Sequence, residues 1–399
     1  MLIPNQSLSF NQDLFYKLDV IIGALRNKNF EWNSFAISIK HKILIILSMT
    51  MNYAKAGVDL KKIRNLQSQI ANAISRTHII SAGWKVLSGF GHYAALIEIG
   101  SRIMALHSDG VGSKILIAHL MKKYDTIGID CIAMNVNDII CVGAMPIGFL
   151  DYIALSSPDP HLVKEVFRGL SKAAKQCGMA IIGGETAIVP DLLHKIDSTS
   201  FDLVGTVFGI VNKKSLVLGE KIKEGDVILG VESSGLHSNG YSLARKVLLS
   251  KYKMNESAQF IKDSVGEELL RPTRIYVKPI NELLNTERTS VHGLAHITGG
   301  SFTKLSRLSK KVNYKLDNLP EPKGVFRQIM EDGHIQPREM YSTFNMGIGF
   351  CIILSRSCVE NAKDIFKRNK MKCTQIGLID KGSGQVKAVL DGKLLALES

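Results

Sequence analysis

The sequence predicts two α/β domains behind a short N-terminal extension, and three observations carry that prediction. The chain has 399 residues, more than one ordinary domain holds. Beyond about residue 57, apolar runs of strand length alternate with runs of helical spacing. Two strand-like runs end in glycines beside a carboxylate: Arg102-Ile103-Met104-Ala105-Leu106 enters His107-Ser108-Asp109-Gly110-Val111-Gly112-Ser113-Lys114, and Ala180-Ile181-Ile182 enters Gly183-Gly184-Glu185-Thr186. The boundaries this implies are an extension over 1–50, a first domain over 51–212 and a second over 213–399.

Composition narrows the class. Hydrophobic residues make up 45% and charged residues 22%, a globular balance. The net charge of +14 suits nucleic acid or a phosphate-rich small molecule. The basic residues are dispersed, and neither an aromatic-interleaved basic motif nor zinc-finger spacing occurs. A phosphorylated small-molecule substrate is therefore expected, with nucleic acid the lesser alternative. The six cysteines form no C-x-x-C pair, which fits a reducing cytoplasm better than a disulfide framework. The run Ile43–Leu47 is too short to span a bilayer. Its distance from Met1 argues against an ordinary signal peptide. A natural start at or near Met51 is a further expectation.

The elements follow in order. Residues 57–76 place Leu60, Ile63, Leu66, Ile70, Ala73 and Ile74 on one apolar stripe, which predicts a helix. Ser88-Gly89-Phe90-Gly91-His92 reads as a glycine-rich loop. In the 107–114 stretch, Gly110 and Gly112 permit positive φ and close approach of a ligand. Asp109 suits Mg²⁺, which prefers oxygen ligands and shares them with phosphate, although an exposed Asp in a tight turn is the plainer reading. A helix is expected over Ile115–Met121.

Asp130 then precedes a helical run with Ile132, Val136, Ile139 and Ile140 on its core side. An N-terminal cap is the simple role for Asp130. Asn137 and Asp138 are polar side chains inside that apolar helix. If Asp130 and Asn137 are both helical they share a face, roughly 10 Å apart, a row that an extended triphosphate with more than one Mg²⁺ could engage. Gly148–Leu155 reads as a buried strand, 159–177 as an amphipathic helix and Phe201–Val211 as a strand ending the first domain near Asn212.

In the second half, a strand over 225–231 leads to Ser233-Ser234-Gly235-Leu236-His237-Ser238-Asn239-Gly240 and a helix from Tyr241. Hydroxyls, an Asn and glycines before a helix suit an anion-binding nest. His237 is either a phosphate donor or proton carrier, or a satisfied structural histidine. No P-loop, no G-x-G-x-x-G and no H-E-x-x-H occurs.

In order, these motifs resemble the phosphoribosylformylglycinamidine cyclo-ligase family from about Ala54 to about Asp380. The resemblance rests on Ala56–Asp59, Asp109–Lys114, Asp125–Asp130, Asn135–Asp138, Gly183–Thr186, Ser233–Leu243, Pro272–Lys278 and Met340–Asn345. It implies a homodimer of two α/β domains paired through the N-terminal sheets. It also implies ATP with Mg²⁺ and a phosphorylated purine-pathway intermediate, formylglycinamidine ribonucleotide, as substrate. Asp109, Asp130 and Asp138 match the metal–triphosphate positions, with Asn137 beside them. In that chemistry Lys114 would offset phosphate charge, or else be a surface lysine. His237 and Asn239 would bind the substrate phosphate or the transferred group, and Glu185 and Thr186 would position nucleotide or substrate. The usual triple glycine reads Gly299-Gly300-Ser301 here, and the first fifty residues have no recognised counterpart. The competing readings are a small-molecule kinase of the same fold and a non-catalytic nucleotide- or nucleic-acid-binding protein.

Overall fold

The computed structural model describes residues 60–78, 83–87, 92–193 and 199–397. The extension over 1–50, the Met51 start, Ala56–Asp59 and the loop residues Ser88–Gly91 lie outside them. Residues 51–399 form one compact unit.

The first half opens with helix α1 (Leu60–Ser75) and strands β1 (Trp84–Val86), β2 (Ala95–Ile99) and β3 (Arg102–Gly110). A single turn of 3₁₀ helix over Gly112–Lys114 leads into α2 (Ile115–Met121), followed by α3 (Asp125–Ile140). Then come β4 (Met145–Leu155), α4 (Pro160–Cys177), β5 (Ala180–Ile188) and β6 (Phe201–Asn212). The six strands form one sheet in the order β1-β2-β3-β6-β4-β5. Its neighbours are antiparallel except β4 and β5, which are parallel because α4 carries the chain back across the sheet.

The second half contains β7 (Val227–Glu232), α5 (Tyr241–Leu248), a hairpin of β8 (Ser257–Ala258) and β9 (Ile261–Ser264), α6 (Val265–Leu269), α7 (Val277–Glu287) and β10 (Val291–His296). It continues through β11 (Val312–Leu316), α8 (Val325–Asp332), α9 (Pro337–Thr343), β12 (Ile348–Leu354), α10 (Val359–Arg368), β13 (Cys373–Lys381), β14 (Val386–Leu390) and β15 (Lys393–Ala396). Its seven-stranded sheet runs β10-β12-β7-β13-β11-β14-β15. Only β11 and β14 pair in parallel. The architecture is mixed α/β with two mixed sheets, as expected.

Local chemistry accounts for the helices that position the site. Asp159 caps α4 by accepting from the N–H groups of His161 and Leu162 at 3.1 and 3.0 Å. Pro160 opens that helix and Gly178, at φ 67°, ends it. α3 is apolar nearly all round and buried along almost its whole length. It packs on β3 and β6 on one side and meets α7 and β10 of the second half on the other. It also presses on α4 at a pair of glycines. A Cβ at Gly128 would lie 2.2 Å from the Val166 carbonyl oxygen, and one at Gly169 would lie 1.9 Å from that of Asp125. No larger residue fits that crossing.

Three expectations are corrected. α3 begins at Asp125, nearly two turns before the predicted start, so Asp130 is an interior residue and caps nothing. β3 runs on through Gly110 because its last residues pair with β6, Asp109 opposite Gly205. β5 continues through Gly183-Gly184 to Ile188, paired with β4 on both sides of a register shift at Ile182, so no tight turn presents Glu185. The α1 stripe of Ile63, Leu66, Ile70 and Ile74 is exposed. No described helix is long and apolar enough to cross a membrane.

Candidate active site

Two polar clusters lie along α3, where it passes between the halves. The first gathers at its N-terminal part. Lys114 and Asp130 are both fully buried, with Nζ 2.7 Å from Asp130 Oδ2. Asp130 Oδ1 accepts from Thr273 N at 2.7 Å and Thr273 Oγ1 at 2.6 Å. Lys114 Nζ also donates to the carbonyls of Arg271 at 2.7 Å and His237 at 3.3 Å. Seven residues on, Asn137 accepts from Tyr276 N at 3.0 Å and donates to Arg274 O at 2.8 Å. Asp130 and Asn137 do share a face, as predicted, but they grip the backbone of 273–276.

The second cluster gathers at the other end. Asp138 Oδ1 accepts from His296 Nδ1 at 2.6 Å, and Oδ2 lies 3.3 Å from His107 Nε2. His296 Nε2 faces the Asn137 amide nitrogen at 3.4 Å, so the ring proton sits on Nδ1. His107 Nδ1 is 3.2 Å from Asn135 Oδ1, and Asn135 Nδ2 donates to the Asp109 carbonyl at 3.1 Å. Asp109 takes the Gly110 N–H on its own Oδ1 at 2.8 Å.

The two carboxylates are in opposite electrostatic states. Burial pushes the Asp109 carboxyl up, and the neighbouring Asp138 charge adds to this against the pull of His107, the Gly110 N–H and Lys304. Burial works the same way on Asp138. There the His296 hydrogen bond and the charges of His107 and Lys304 outweigh it and hold the carboxyl at about 2. Lys304, in the turn after Gly299-Gly300, donates to Thr298 Oγ1 and was not singled out in the sequence. Neither were His107 and His296 as site residues. Only their places in the last part of β3 and at the end of β10 signalled them.

The remaining sequence candidates fall as follows. Gly112 has the expected positive φ, 69°, with open space where a side chain would stand, whereas Gly110 stays in the strand. Glu185 and Thr186 are exposed on the edge strand β5, away from both clusters, with Glu185 Oε1 accepting from Thr186 N at 2.9 Å. Asn239 is half-buried beside the Gly299 turn. His237 is completely buried and its Nε2 accepts from Ser234 N at 3.2 Å. Its ring abuts Gly349, where a Cβ would come within 2.4 Å of Cε1. Burial also pushes its pKa well down. The catalytic role expected of His237 does not fit this sealed position, and the open alternative, a structural histidine, does.

Two further corrections concern charge. Asp130 is not placed for metal, because both its oxygens are taken by Lys114 and Thr273 and eight residues of helix, about 12 Å of rise, separate it from Asp138. Lys114 is no surface lysine and reaches no open space. Among the described residues no three acidic, histidine or cysteine side chains group as a complete metal site. Asp109 and Asp138 both offer hard oxygen donors and lie near enough for the charge of Asp138 to push the Asp109 carboxyl up. That fits Mg²⁺, which takes one or two carboxylates and completes its shell with phosphate and water.

The two halves of this mixed α/β fold each match a domain of the AIR synthase-related proteins. Residues 91–211 match the family model "AIR synthase related protein, N-terminal domain", and residues 223–389 match its C-terminal counterpart. The chain is 46% identical over 317 residues to the phosphoribosylformylglycinamidine cyclo-ligase of Methanothermobacter thermautotrophicus, covering 79% of this chain and 91% of that one. With the same enzyme of Pyrococcus furiosus it shares 46% over 319 residues, 80% of this chain and 92% of that one. The chain belongs to the phosphoribosylformylglycinamidine cyclo-ligase family. Similar folds are seen in hydrogenase maturation protein HypE in complex with ATP (TM-score 0.57, 19% identity, 75% of this chain and 85% of that one). They are seen also in AaThiL complexed with AMPPCP and TMP (TM-score 0.57, 17% identity, 85% and 96%).

Proposed function

We propose that this chain closes the imidazole ring of aminoimidazole ribonucleotide from formylglycinamidine ribonucleotide, using ATP and Mg²⁺ and releasing ADP and phosphate, in the cytoplasm. The observation that carries the reading is the junction cluster: two carboxylates, one from each of β3 and α3, face a histidine and a lysine from the other half. Bound Mg²⁺-ATP would supply a phosphoryl group that turns the formyl oxygen into a leaving group. Such transfer demands alignment and charge neutralisation more than covalent help from the protein.

The side chains fit those demands. Asp109 and Asp138 would hold Mg²⁺. His296 and His107 keep Asp138 oriented and ionised, as partners behind a metal ligand do. The backbone at Gly110 and Gly112, with open space at Gly112, would admit phosphate oxygens. Asn239 would orient the substrate from the Gly299 turn. Lys114, Asp130, Asn137 and the buried His237 would act as positioning residues that set one half against the other. Glu185 and Thr186, exposed on β5, remain candidates for holding nucleotide. We place the boundary between the ATP-binding half and the second α/β domain at Asn212.

Pairing of two copies through the first sheet is part of the same proposal. Ile147, Leu150 and Tyr152 on β4 and Ile182 and Ile188 on β5 are exposed apolar side chains on adjoining strands. A patch of this kind is unusual on a free surface. The test of function is a coupled assay with formylglycinamidine ribonucleotide, ATP and Mg²⁺. One ADP per aminoimidazole ribonucleotide is expected. ADP with a phosphorylated, unclosed product would favour a kinase instead.

A further inference from the structure

Lys114, to which the family resemblance gives the task of offsetting phosphate charge, is engaged within the protein. An ammonium group carries three N–H bonds. Lys114 donates to the Arg271 and His237 carbonyls and is ion-paired with Asp130 Oδ2 at 2.7 Å, and the side chain is wholly buried. Lys304 is the opposite case. Its Nζ donates to one neutral acceptor, Thr298 Oγ1, and lies 5.7 Å from the centre of the Tyr93 ring. Among the described residues it has no carboxylate within ion-pair distance. It is half-buried, where Lys114 is sealed. Its charge acts on both Asp109 and Asp138.

Charge balance gives this arrangement a purpose. Two ionised aspartates offset one Mg²⁺ and leave the charge of a polyphosphate unanswered. Developing negative charge in phosphoryl transfer needs further cations aimed at it. Burying an ammonium with one neutral partner is costly unless an anion completes its shell. We infer that Lys304 binds polyphosphate oxygens opposite the Asp109–Asp138 pair, and so serves as a catalytic residue of the phosphoryl transfer. The inference rests on the Mg²⁺-ATP reading above. Thr298 and Tyr93 hold the ammonium in place, and the Gly299-Gly300 turn brings it to the junction.

The experiment is calorimetric titration of the full chain with ATP and with AMP in the presence of Mg²⁺, alongside melting temperatures. It compares the unmodified protein with Lys304→Met, Lys304→Gln and Lys304→Arg. Loss of a charge-assisted contact predicts ATP binding weaker by about tenfold or more in the Met and Gln variants. AMP binding should change by less than about twofold, and Arg should restore most of the ATP affinity. Gln keeps a donor for Thr298, so the ATP–AMP split can be read even where Met lowers the melting temperature. Unchanged ATP affinity in both neutral variants, or equal losses for ATP and AMP, overturns the inference while leaving the nucleotide reading standing. An unmodified protein that binds no ATP overturns both.

Discussion

The two ends of α3 carry similar residues and treat them differently. Around Asp130, the charged groups answer one another. The carboxylate is filled by Lys114 and Thr273, and Lys114 by two carbonyls besides. Around Asp138, the count does not close. A carboxylate held at about 2 stands beside Asp109, whose own carboxyl is pushed up, and beside a lysine with one neutral partner. A saturated cluster fixes geometry. A cluster with charge left over has something still to bind. Within one helix, the difference separates the frame from the site.

The strongest test of that contrast removes one charge at the saturated end. Lys114→Met strands the buried Asp130, and breaking a buried pair in this way costs about 3–5 kcal/mol. Denaturant midpoints should show that loss, and Lys114→Met combined with Asp130→Leu should recover part of it. A Lys114→Met protein of unchanged stability but abolished ATP binding would reverse the roles assigned here.

At the open end the expected loss is functional. Asp109→Asn should lower kcat by roughly 100-fold or more, the scale on which removed transition-state charge stabilisation shows. The melting temperature should hold or rise, because the ionised Asp109 carboxylate is disfavoured in the folded protein. A variant that melts far lower would make Asp109 part of the frame.

The smallest effect is the acid limb of stability. The Asp138 carboxyl is lowered from 3.8 to about 2. A depressed carboxyl stabilises the fold above its unfolded pKa, and that contribution disappears as pH falls from about 4 toward 2. It amounts to about 2 kcal/mol. Asp138→Asn should therefore flatten stability against pH in that window relative to the unmodified protein. Parallel curves for the two would remove the charge-holding role of His296 and His107.

How far the sequence reaches follows from the same accounting. Periodicity located α3, α4, β4 and β6, because each buries a face whose spacing is written in its own residues. It failed where partners decide. β5 runs straight through Gly183-Gly184 because β4 pairs with it, and two glycines in isolation look like a turn. The Asp109 stretch and Asn137-Asp138 were legible as polar residues in apolar surroundings. Which lysine faces the carboxylates was not, because Lys114 and Lys304 differ only in contacts made across the junction of the halves. His296 and Thr298 were likewise invisible as site members, since Asp138 lies 158 residues from His296 in the chain.

The central claim is that Asp109 and Asp138 together hold the divalent ion of a bound nucleotide. Its most direct test is Mn²⁺ binding, followed by electron paramagnetic resonance in the presence of ADP, in the unmodified protein and in the Asp109→Asn and Asp138→Asn variants. The account predicts one nucleotide-dependent Mn²⁺ site whose affinity falls at least about tenfold in each variant. Mn²⁺ affinity unchanged in both, with the proteins folded, would contradict it.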